Sequence, residues 1–325
     1  MARGSATAGP LHIAFEVPDG PLHQLIEATL ALYDVAWSAS AVRAIELRGE
    51  IADAPIQSAR GDYLECAQML VDGTPDGLFA TTTHGGQLRG TFTDSGERWS
   101  MRVSPSLAEI GAWPDVEDML SLVLTTGWRR AGWVPLHAGG LTDGHRGILV
   151  CAGSGGGKTT FTVAMARRGW GALGDDKLLL STDTRQRRVV AIKQMLNLDP
   201  AARAWFPEVG DLTVLPQYST LSAKRRVSLG TLWPSAPAPE MAATHLLALE
   251  RRSDAQGFSV SPMSPADTIS TLLHQSVIPR DAGVAAPIVR TLATLAQRVR
   301  AFRLTVGDDA YADPDGLRVV EEALG

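Results

Sequence analysis

One glycine-rich stretch constrains the fold of this chain more than any other. It is CAGSGGGKTT, residues 151–160, directly after an apolar run at residues 148–150. The stretch fits the phosphate-loop template, with Ala152 in the first glycine's place and Gly157, Lys158 and Thr159 at its end. "GILVC" before it predicts a buried strand, and "TFTVAMARRG" after it predicts a helix that ends at Gly169. The sequence therefore predicts a nucleoside triphosphate site.

Each residue type in this loop suits phosphate binding. Glycines let the backbone adopt positive φ, and successive N–H groups then form an anion-binding concavity at the N-terminal end of the helix. Lys158 supplies a point charge for the β- and γ-phosphates, and the Thr159 hydroxyl can ligate magnesium. The predicted phosphate-binding residues are Gly153, Ser154, Gly155, Gly156, Gly157, Lys158, Thr159 and Thr160.

Two adjacent acids, Asp175 and Asp176, follow the helix in "WGALGDDKLLL". Carboxylates between apolar segments are costly unless they bind a cation or take a proton. We expect the strand "WGAL" to lie parallel to and beside the phosphate-loop strand, which would bring both acids to the phosphates. One carboxylate would then meet the magnesium ion and the other the attacking hydroxyl. The alternative is a surface turn in a hairpin.

A histidine and a basic triplet complete the candidate residues. His137 lies in "WVPLHAGGL", just before the phosphate-loop strand, and is either a site residue or a hydrogen-bonded structural one. Lys224, Arg225 and Arg226 lie in "SAKRRVSLG". Such a triplet is either a solvated face or the source of the cation that a phosphoryl-transfer site requires.

The distribution of short strands and helices predicts two domains. Residues 1–112 contain partly β-branched runs such as "LHIAFEV" and "LRGTFT" and one helical stretch, "PLHQLIEATLALY", which predict a β-rich α+β domain of unclear role. Residues 113–325 alternate strands with helices, which predicts an α/β domain. It opens with "DVEDMLSLVLTTGWRRAGW", a helix for which Asp115 is the predicted N-cap.

Composition excludes several classes of protein. The net charge of -5 over 325 residues gives no indication of nucleic-acid binding. The two cysteines, Cys66 and Cys151, form no CxxC pair, so neither a disulfide framework nor a cysteine-based zinc site is expected. We find no signal sequence and no apolar run that could span a bilayer. We therefore expect a cytoplasmic protein with no membrane or nucleic-acid partner.

The ordered set "LHAGGL", "GILVCAGSGGGKTT" and "RRGWGALGDD" resembles the HPr kinase-like group of P-loop kinases, which shares its nucleotide-binding core with ATP-dependent phosphoenolpyruvate carboxykinase. The specific match covers about fifty residues, and the Asp pair directly after the helix is its discriminating feature. A GTPase with an Asn-Lys-x-Asp motif is excluded, because the only asparagine is Asn197, in "LNLD".

The resemblance implies a role for each matching residue. His137 matches a histidine near the phosphoryl group, Lys158 the phosphate lysine, and Thr159 the metal-ligating hydroxyl. Asp175 matches the acid that takes the serine proton, and Asp176 its neighbour close to the metal. Arg226, or Arg225, matches an arginine that assists transfer.

The expected function is an ATP- and magnesium-dependent kinase whose acceptor is a serine of a peptide or small protein. The chain resembles the stand-alone HPr kinase-like proteins found with ribosomal peptide modification systems, including those of lasso peptides, more closely than it resembles the classical HPr kinases. Similar kinases often form ring-like assemblies, so a homo-oligomer is expected. The family's "EIRGLG"-type segment with its metal-binding glutamate is absent, and "VVAIKQMLNLDPAARAW" stands in that region. A kinase for a small alcohol or free amino acid, and a nucleotide-binding regulatory module, are the alternatives.

Overall fold

The computed structural model describes residues 1–33, 35, 37, 43–52, 58–66, 68–105, 113–219, 222–313 and 315–325. The chain divides into two compact units, Met1–Trp133 with Ile278–Ile288, and Val134–Val277 with Val289–Gly325. The sequence analysis placed a domain boundary between residues 112 and 113, and residues 106–112 lie outside the described ones. The observed division falls later because the helix Trp113–Arg130 packs on the N-terminal sheet.

Within the described residues up to Trp133, the first unit contains a mixed sheet and two helices. Its strands are β1 (Ala2–Ala8), β2 (Leu11–Val17), β3 (Arg43–Ile51), β4 (Leu64–Cys66), β5 (Met69–Thr74), β6 (Gly77–Thr82), β7 (Gln87–Phe92) and β8 (Gly96–Val103), and its helices are α1 (Pro21–Ala31) and α2 (Trp113–Arg130). The strand order is β1-β2-β3-β8-β7-β6-β5-β4. The pairs β2–β3 and β3–β8 are parallel, and the other pairs are antiparallel.

Alternating hydrophobicity explains the architecture of this unit. In β2, Leu11, Ile13, Phe15 and Val17 are buried, and the residues between them are more exposed. Because successive side chains point to opposite faces of a sheet, one face packs against α1 and α2. The fully buried Trp128 of α2 also donates its indole N–H to the carbonyl of Ala8, 2.9 Å away. The predicted β-rich region with the helix at Pro21–Ala31 is confirmed.

The predicted N-cap role of Asp115 is wrong. The helix α2 already begins at Trp113, so Asp115 lies in its first turn. Its side chain is 1% exposed and accepts hydrogen bonds from the Thr82 hydroxyl and from Nδ1 of His84, the latter at 2.8 Å. The carboxylate therefore connects the helix to the end of β6 rather than capping it.

The described residues of the second unit form three sheets. Its strands are β9 (Trp133–Leu136), β10 (Gly139–Thr142), β11 (Gly147–Cys151), β12 (Gly171–Gly174), β13 (Leu178–Ser181), β14 (Arg188–Ala191), β15 (Met195–Leu198), β16 (Gln217–Ser219), β17 (Ser222–Ser228), β18 (Glu240–Ala242), β19 (His245–Arg251), β20 (Phe258–Pro262) and β21 (Arg300–Val306). The first residue of β9, Trp133, is assigned to the first unit. The sheet orders are β12-β10-β11-β19-β21-β20, β18-β14-β13-β9 and β15-β17-β16.

The helices that follow in the chain are α3 (Lys158–Arg167), α4 (Leu229–Leu232), α5 (Pro265–His274), α6 (Ala282–Ala296), which the division between the units crosses, and α7 (Arg318–Leu324). Three 3₁₀ helices lie at Pro200–Ala204, Pro207–Val209 and Leu212–Val214. No helix within the described residues is apolar over a length that could cross a membrane.

The six-stranded sheet brings the glycine loop and the Asp pair to the same edge. The strands β11, β19 and β21 are parallel to one another, and β10 pairs antiparallel with both β11 and β12. The expectation that β12 lies beside β11 is therefore wrong, because β10 separates them. Two antiparallel pairings leave β12 running in the same direction as β11, so both strands end at one edge.

The hairpin alternative for Gly-Asp-Asp is not what the structure shows. The strands on either side of the two acids, β12 and β13, belong to different sheets. Gly174 has a φ of 139°, and a Cβ on it would lie 2.5 Å from the carbonyl oxygen of Lys193. Glycine is required at this position because the chain leaves one sheet for the next through a tight backbone contact.

The helix α3 is anchored by its apolar side chains. Phe161, Val163 and Met165 are fully buried in the core of the second unit. The helix ends at Arg167, with Arg168 as its C-cap and the predicted capping glycine, Gly169, one residue later with a φ of 90°. The N–H of Trp170 bonds the carbonyl of Met165, and the N–H of Gly169 that of Ala166, which is a Schellman arrangement. Packing and capping together hold the first turn of α3 in place behind the glycine loop.

We predict that Phe161→Ala lowers the free energy of unfolding by about 3–5 kcal/mol, because it leaves a cavity under α3. Urea unfolding followed by circular dichroism measures the change. Val214→Ala is the control, since Val214 is 79% exposed and its truncation should change stability by less than about 0.5 kcal/mol. A Phe161→Ala change as small as the control's would contradict this account of the anchor.

Candidate functional site

The glycine loop has the backbone of a phosphate cradle. It connects β11 to α3, and Gly155 and Gly157 have φ values of 73° and 91°. A Cβ at Gly153, Gly155 or Gly157 would meet nothing within 4 Å, so the space in front of the loop is open. Ala152 fits in the template's first glycine position because its φ is not positive. The N–H groups at the start of α3 face no competing acidic N-cap, since Gly157 occupies that position.

Lys158 and His137 form a hydrogen-bonded pair beneath the loop. The Lys158 ammonium donates to the carbonyl of Ala152 at 2.8 Å and lies 3.1 Å from Nε2 of His137. An ammonium is a donor only, so Nε2 accepts and the ring proton is on Nδ1. That Nδ1 donates to Oδ1 of Asp176 at 2.9 Å. His137 is therefore neutral in this arrangement and connects Lys158 to the Asp pair.

Asp176 is held ionised by groups on two sides. Burial alone would raise the pKa of its carboxyl, but the hydrogen bond from His137 and the positive charge of Lys193 outweigh burial and lower it. The Lys193 ammonium lies 3.6 Å from Oδ2 of Asp176, and its side chain is 3% exposed. Both oxygens of Asp176 thus face protein groups, whereas the sequence analysis proposed the residue as a metal ligand.

Asp175 is in the opposite electrostatic situation. Burial, followed by the negative charge of Asp176, raises the pKa of its carboxyl to about 6 from an ordinary 3.8. Its Oδ2 accepts a short hydrogen bond from the Thr159 hydroxyl. Its Oδ1 is buried and has no hydrogen-bond partner within the described part of the chain. Asp175 therefore retains one acceptor position beside the predicted metal-ligating hydroxyl.

These residues surround one cavity of about 560 Å³. It is lined by all the predicted phosphate-binding residues, by His137, Asp175 and Asp176, and by Asn197, Leu198, Asp199, Ala201, Ala202, Trp205, Lys224 and Arg251. The volume is within the range of small-molecule sites. The structure thus brings together the predicted site residues from three separate stretches of sequence.

The basic triplet contributes differently from the prediction. Lys224 lines the cavity, and its charge lowers the pKa of Lys158, although burial is the larger cause of that shift. Arg225 and Arg226 are not among the lining residues. Arg226, on β17, lies opposite Asn197, on β15, in the register of these two strands. The arginine that lines the cavity is Arg251, at the end of β19.

Several site residues escaped the sequence analysis. Lys193, Asn197 and Trp205 all lie in "VVAIKQMLNLDPAARAW", the segment that stands where HPr kinase-like sequences have a metal-binding glutamate. A signal for Lys193 was present, because a lysine between apolar residues needs a buried partner as much as the Asp pair does. Asn197 and Trp205 carry no comparable local signal.

The residues fit a magnesium ion bound together with a phosphorylated substrate. No group of three or more His, Cys, Asp or Glu side chains arranged to hold a metal occurs among the described residues. Magnesium usually takes one or two protein oxygens and completes its shell with substrate phosphates and water. The Thr159 hydroxyl supplies one such oxygen, and Asp176, which lines the same cavity, supplies a carboxylate that can contribute through water.

Comparisons with known proteins give little. No family model matches the chain, and no curated protein matches it. Among solved structures, the HPr(Ser) kinase/phosphatase from Coxiella burnetii aligns with 58% of this chain and 95% of its own at 9% identity, with a TM-score of 0.32. A TM-score this low shows neither a shared fold nor a shared function. What is established is a mixed α/β chain with the site described above.

The raised pKa of Asp175 predicts a pH-dependent stability. A carboxyl whose folded pKa is raised stabilises the fold below its unfolded pKa, and that contribution is lost as the pH rises through the folded value. The shift from 3.8 to about 6 corresponds to about 3 kcal/mol. Relative to Asp175→Asn, the wild-type chain should therefore lose about 3 kcal/mol of unfolding free energy between about pH 4 and pH 7. Urea unfolding in EDTA measures the difference, and a pH-independent difference would contradict it.

We further predict that Lys193→Met destabilises the fold by about 3 kcal/mol near neutral pH, because it leaves the Asp176 carboxylate with one partner fewer. Asp176→Asn in the same chain should recover part of this loss. A double-mutant cycle measures the coupling between the two side chains by chemical unfolding. Strictly additive effects would show that the 3.6 Å ion pair contributes nothing.

Proposed function

We propose that this chain is an ATP- and magnesium-dependent kinase that transfers the γ-phosphoryl group to a hydroxyl, namely a serine of a peptide or small protein. The glycine loop, the positive charge of Lys158 and the Asp pair in one cavity support phosphoryl transfer. The peptide acceptor, including a ribosomal precursor peptide of the lasso type, and the choice of ATP rest on the resemblance of "LHAGGL", "GILVCAGSGGGKTT" and "RRGWGALGDD" to HPr kinase-like sequences.

The observation that carries the proposal is the environment of Asp175. Its Oδ2 is occupied by the Thr159 hydroxyl, while its buried Oδ1 has no partner among the residues that the structure describes. A carboxylate with one oxygen fixed and the other available is suited to receive the proton of an acceptor hydroxyl at the rim of a phosphate cradle.

The proposed reaction assigns a separate task to each side chain. The acceptor oxygen attacks the γ-phosphorus in line, the bond to the β-phosphate oxygen breaks, and ADP leaves with its electron pair. Oδ1 of Asp175 takes the proton of the acceptor hydroxyl. Lys158 and the loop amides neutralise the phosphate oxygens, which is the larger part of catalysis in a loose transition state.

His137 and Asp176 keep Lys158 in place. The neutral ring of His137 accepts from Lys158 through Nε2, and Asp176 fixes that tautomer by accepting from Nδ1. Thr159 would hold magnesium directly, and Asp176 through water, since both its oxygens already face protein groups. Magnesium, when bound, would supply additional positive charge at the phosphate oxygens.

A regulatory nucleotide-binding module is the second candidate. It is favoured by the pairing of Asp176 with the buried Lys193, which leaves the site poor in carboxylates for metal. Such a module would bind the nucleotide and respond through a partner with little turnover. A kinase for a small alcohol or a free amino acid would use the same site and differs only in the acceptor.

We predict that Asp175→Asn reduces phosphoryl transfer at least about a hundredfold while nucleotide affinity stays within about threefold, because the change removes the proton acceptor and keeps the shape. The assay uses labelled ATP with magnesium as the donor. Serine-containing peptides encoded beside the gene, and free serine, are the acceptors. Asp183→Asn, an exposed loop change, is the matched control.

The outcomes separate the candidates. Transfer to a peptide that disappears in Asp175→Asn and persists in Asp183→Asn supports the peptide kinase, whereas transfer only to free serine supports the small-molecule kinase. Tight ATP binding with no transfer to any acceptor would contradict the kinase and support the regulatory module.

A further inference from the structure

One wall of the cavity is not explained by phosphate binding. It consists of the lining residues within 197–205, namely Asn197, Leu198, Asp199, Ala201, Ala202 and Trp205. Leu198, Ala201 and Ala202 offer a phosphate no side-chain hydrogen bond, whereas these apolar groups and the face of the Trp205 indole suit the flat face of an aromatic group. This wall therefore faces a part of the ligand other than its phosphates.

Trp205 is held as a rigid surface. It follows the 3₁₀ helix Pro200–Ala204, which Asp199 caps by accepting from the N–H of Ala201 at 2.9 Å. The carbonyl of Trp205 accepts from Arg167 of α3 at 3.3 Å, and its ring packs against Tyr311 with 5.8 Å between centroids. The indole is thus fixed by the core while it lines the cavity, and stacking on it costs little ordering.

Asn197 offers an unsatisfied amide in the same wall. It is 8% exposed, and its Oδ1 is buried without a hydrogen-bond partner among the described residues. Its backbone is fixed in β15, in register with β17. Because a buried acceptor without a donor is unfavourable, this position favours a ligand that brings an N–H group.

We propose that Asn197 and Trp205 form the subsite for the purine base of the nucleotide, with adenine as the base. The inference rests on the proposed function and extends it from the phosphates to the base. Trp205 stacks on a face of the ring, and the Asn197 amide pairs with the amino N–H and an adjacent ring nitrogen, a match that asparagine makes with adenine. Lys224 and Arg251, which line the same cavity, add positive charge toward the phosphates.

The test compares ligands with and without a base. Calorimetry with the intact chain and magnesium measures the Kd for ATP, GTP and tripolyphosphate. Trp205→Ala should weaken ATP binding about 5- to 150-fold, the range for loss of a base–aromatic stack, and leave tripolyphosphate binding unchanged. Asn197→Ala should weaken ATP binding and reduce the preference for ATP over GTP. Trp205→Phe should retain most of the affinity.

Trp233→Ala is the matched control, because Trp233 packs on the same core and is not a lining residue of the cavity. It should bind ATP as the wild-type chain does, with circular dichroism reporting the fold of each variant. Asn197→Ala tests the subsite independently should Trp205→Ala fail to fold.

Wild-type ATP affinity in both Trp205→Ala and Asn197→Ala, or equal losses for ATP and tripolyphosphate, would overturn the base subsite alone. Equal wild-type affinity for ATP and tripolyphosphate would do the same. A wild-type chain that binds neither ligand would overturn the proposed function together with the subsite.

Discussion

The arrangement of the site depends on two adjacent carboxylates at the end of β12, of which Asp175 is buried and Asp176 is partly buried. Two such groups cannot both be ionised in a poorly solvated position without compensation. The chain separates them electrostatically. Asp176 accepts from His137 and pairs with Lys193, and the pKa of its carboxyl falls. For Asp175, burial and the negative charge of Asp176 outweigh the hydrogen bond from the Thr159 hydroxyl, and the pKa of its carboxyl rises to about 6. One carboxylate becomes a fixed anion and the other a group that exchanges its proton.

The same compensation of the Asp pair also fixes the position of Lys158. Nδ1 of His137 donates to Asp176, and Nε2 can accept from Lys158 because the ring is neutral. Lys158 is thereby held under the glycine loop before any ligand is present, so less ordering is required when phosphates bind. The topology supports this arrangement, since β10 lies between β11 and β12, and His137, two residues before β10, contacts both Lys158 and Asp176.

The parts of the site that were predictable from sequence are local. The loop, its strand and helix, Lys158 and the Asp pair lie within a short span, and each carries its chemistry in its own residue pattern. The direction of β12 followed from that pattern, but its neighbour did not, because strand order depends on pairings between distant segments. The resemblance pointed to Arg226 or Arg225 rather than Lys224, and the triplet by itself does not show which of its side chains lines the cavity. Lys193, Asn197 and Trp205 became site residues only through the packing of β15 and the following 3₁₀ helix against α3.

The electrostatic division of the Asp pair is the central claim, and carboxyl carbon NMR tests it most directly. The metal-free chain, labelled at aspartate carboxyl carbons, would be titrated with Asp175→Asn and Asp176→Asn used for assignment. The account predicts that the Asp175 signal titrates near pH 6 and that the Asp176 signal stays that of a carboxylate through the ordinary aspartate range. Two signals that both titrate near the ordinary value of 3.8 would contradict it.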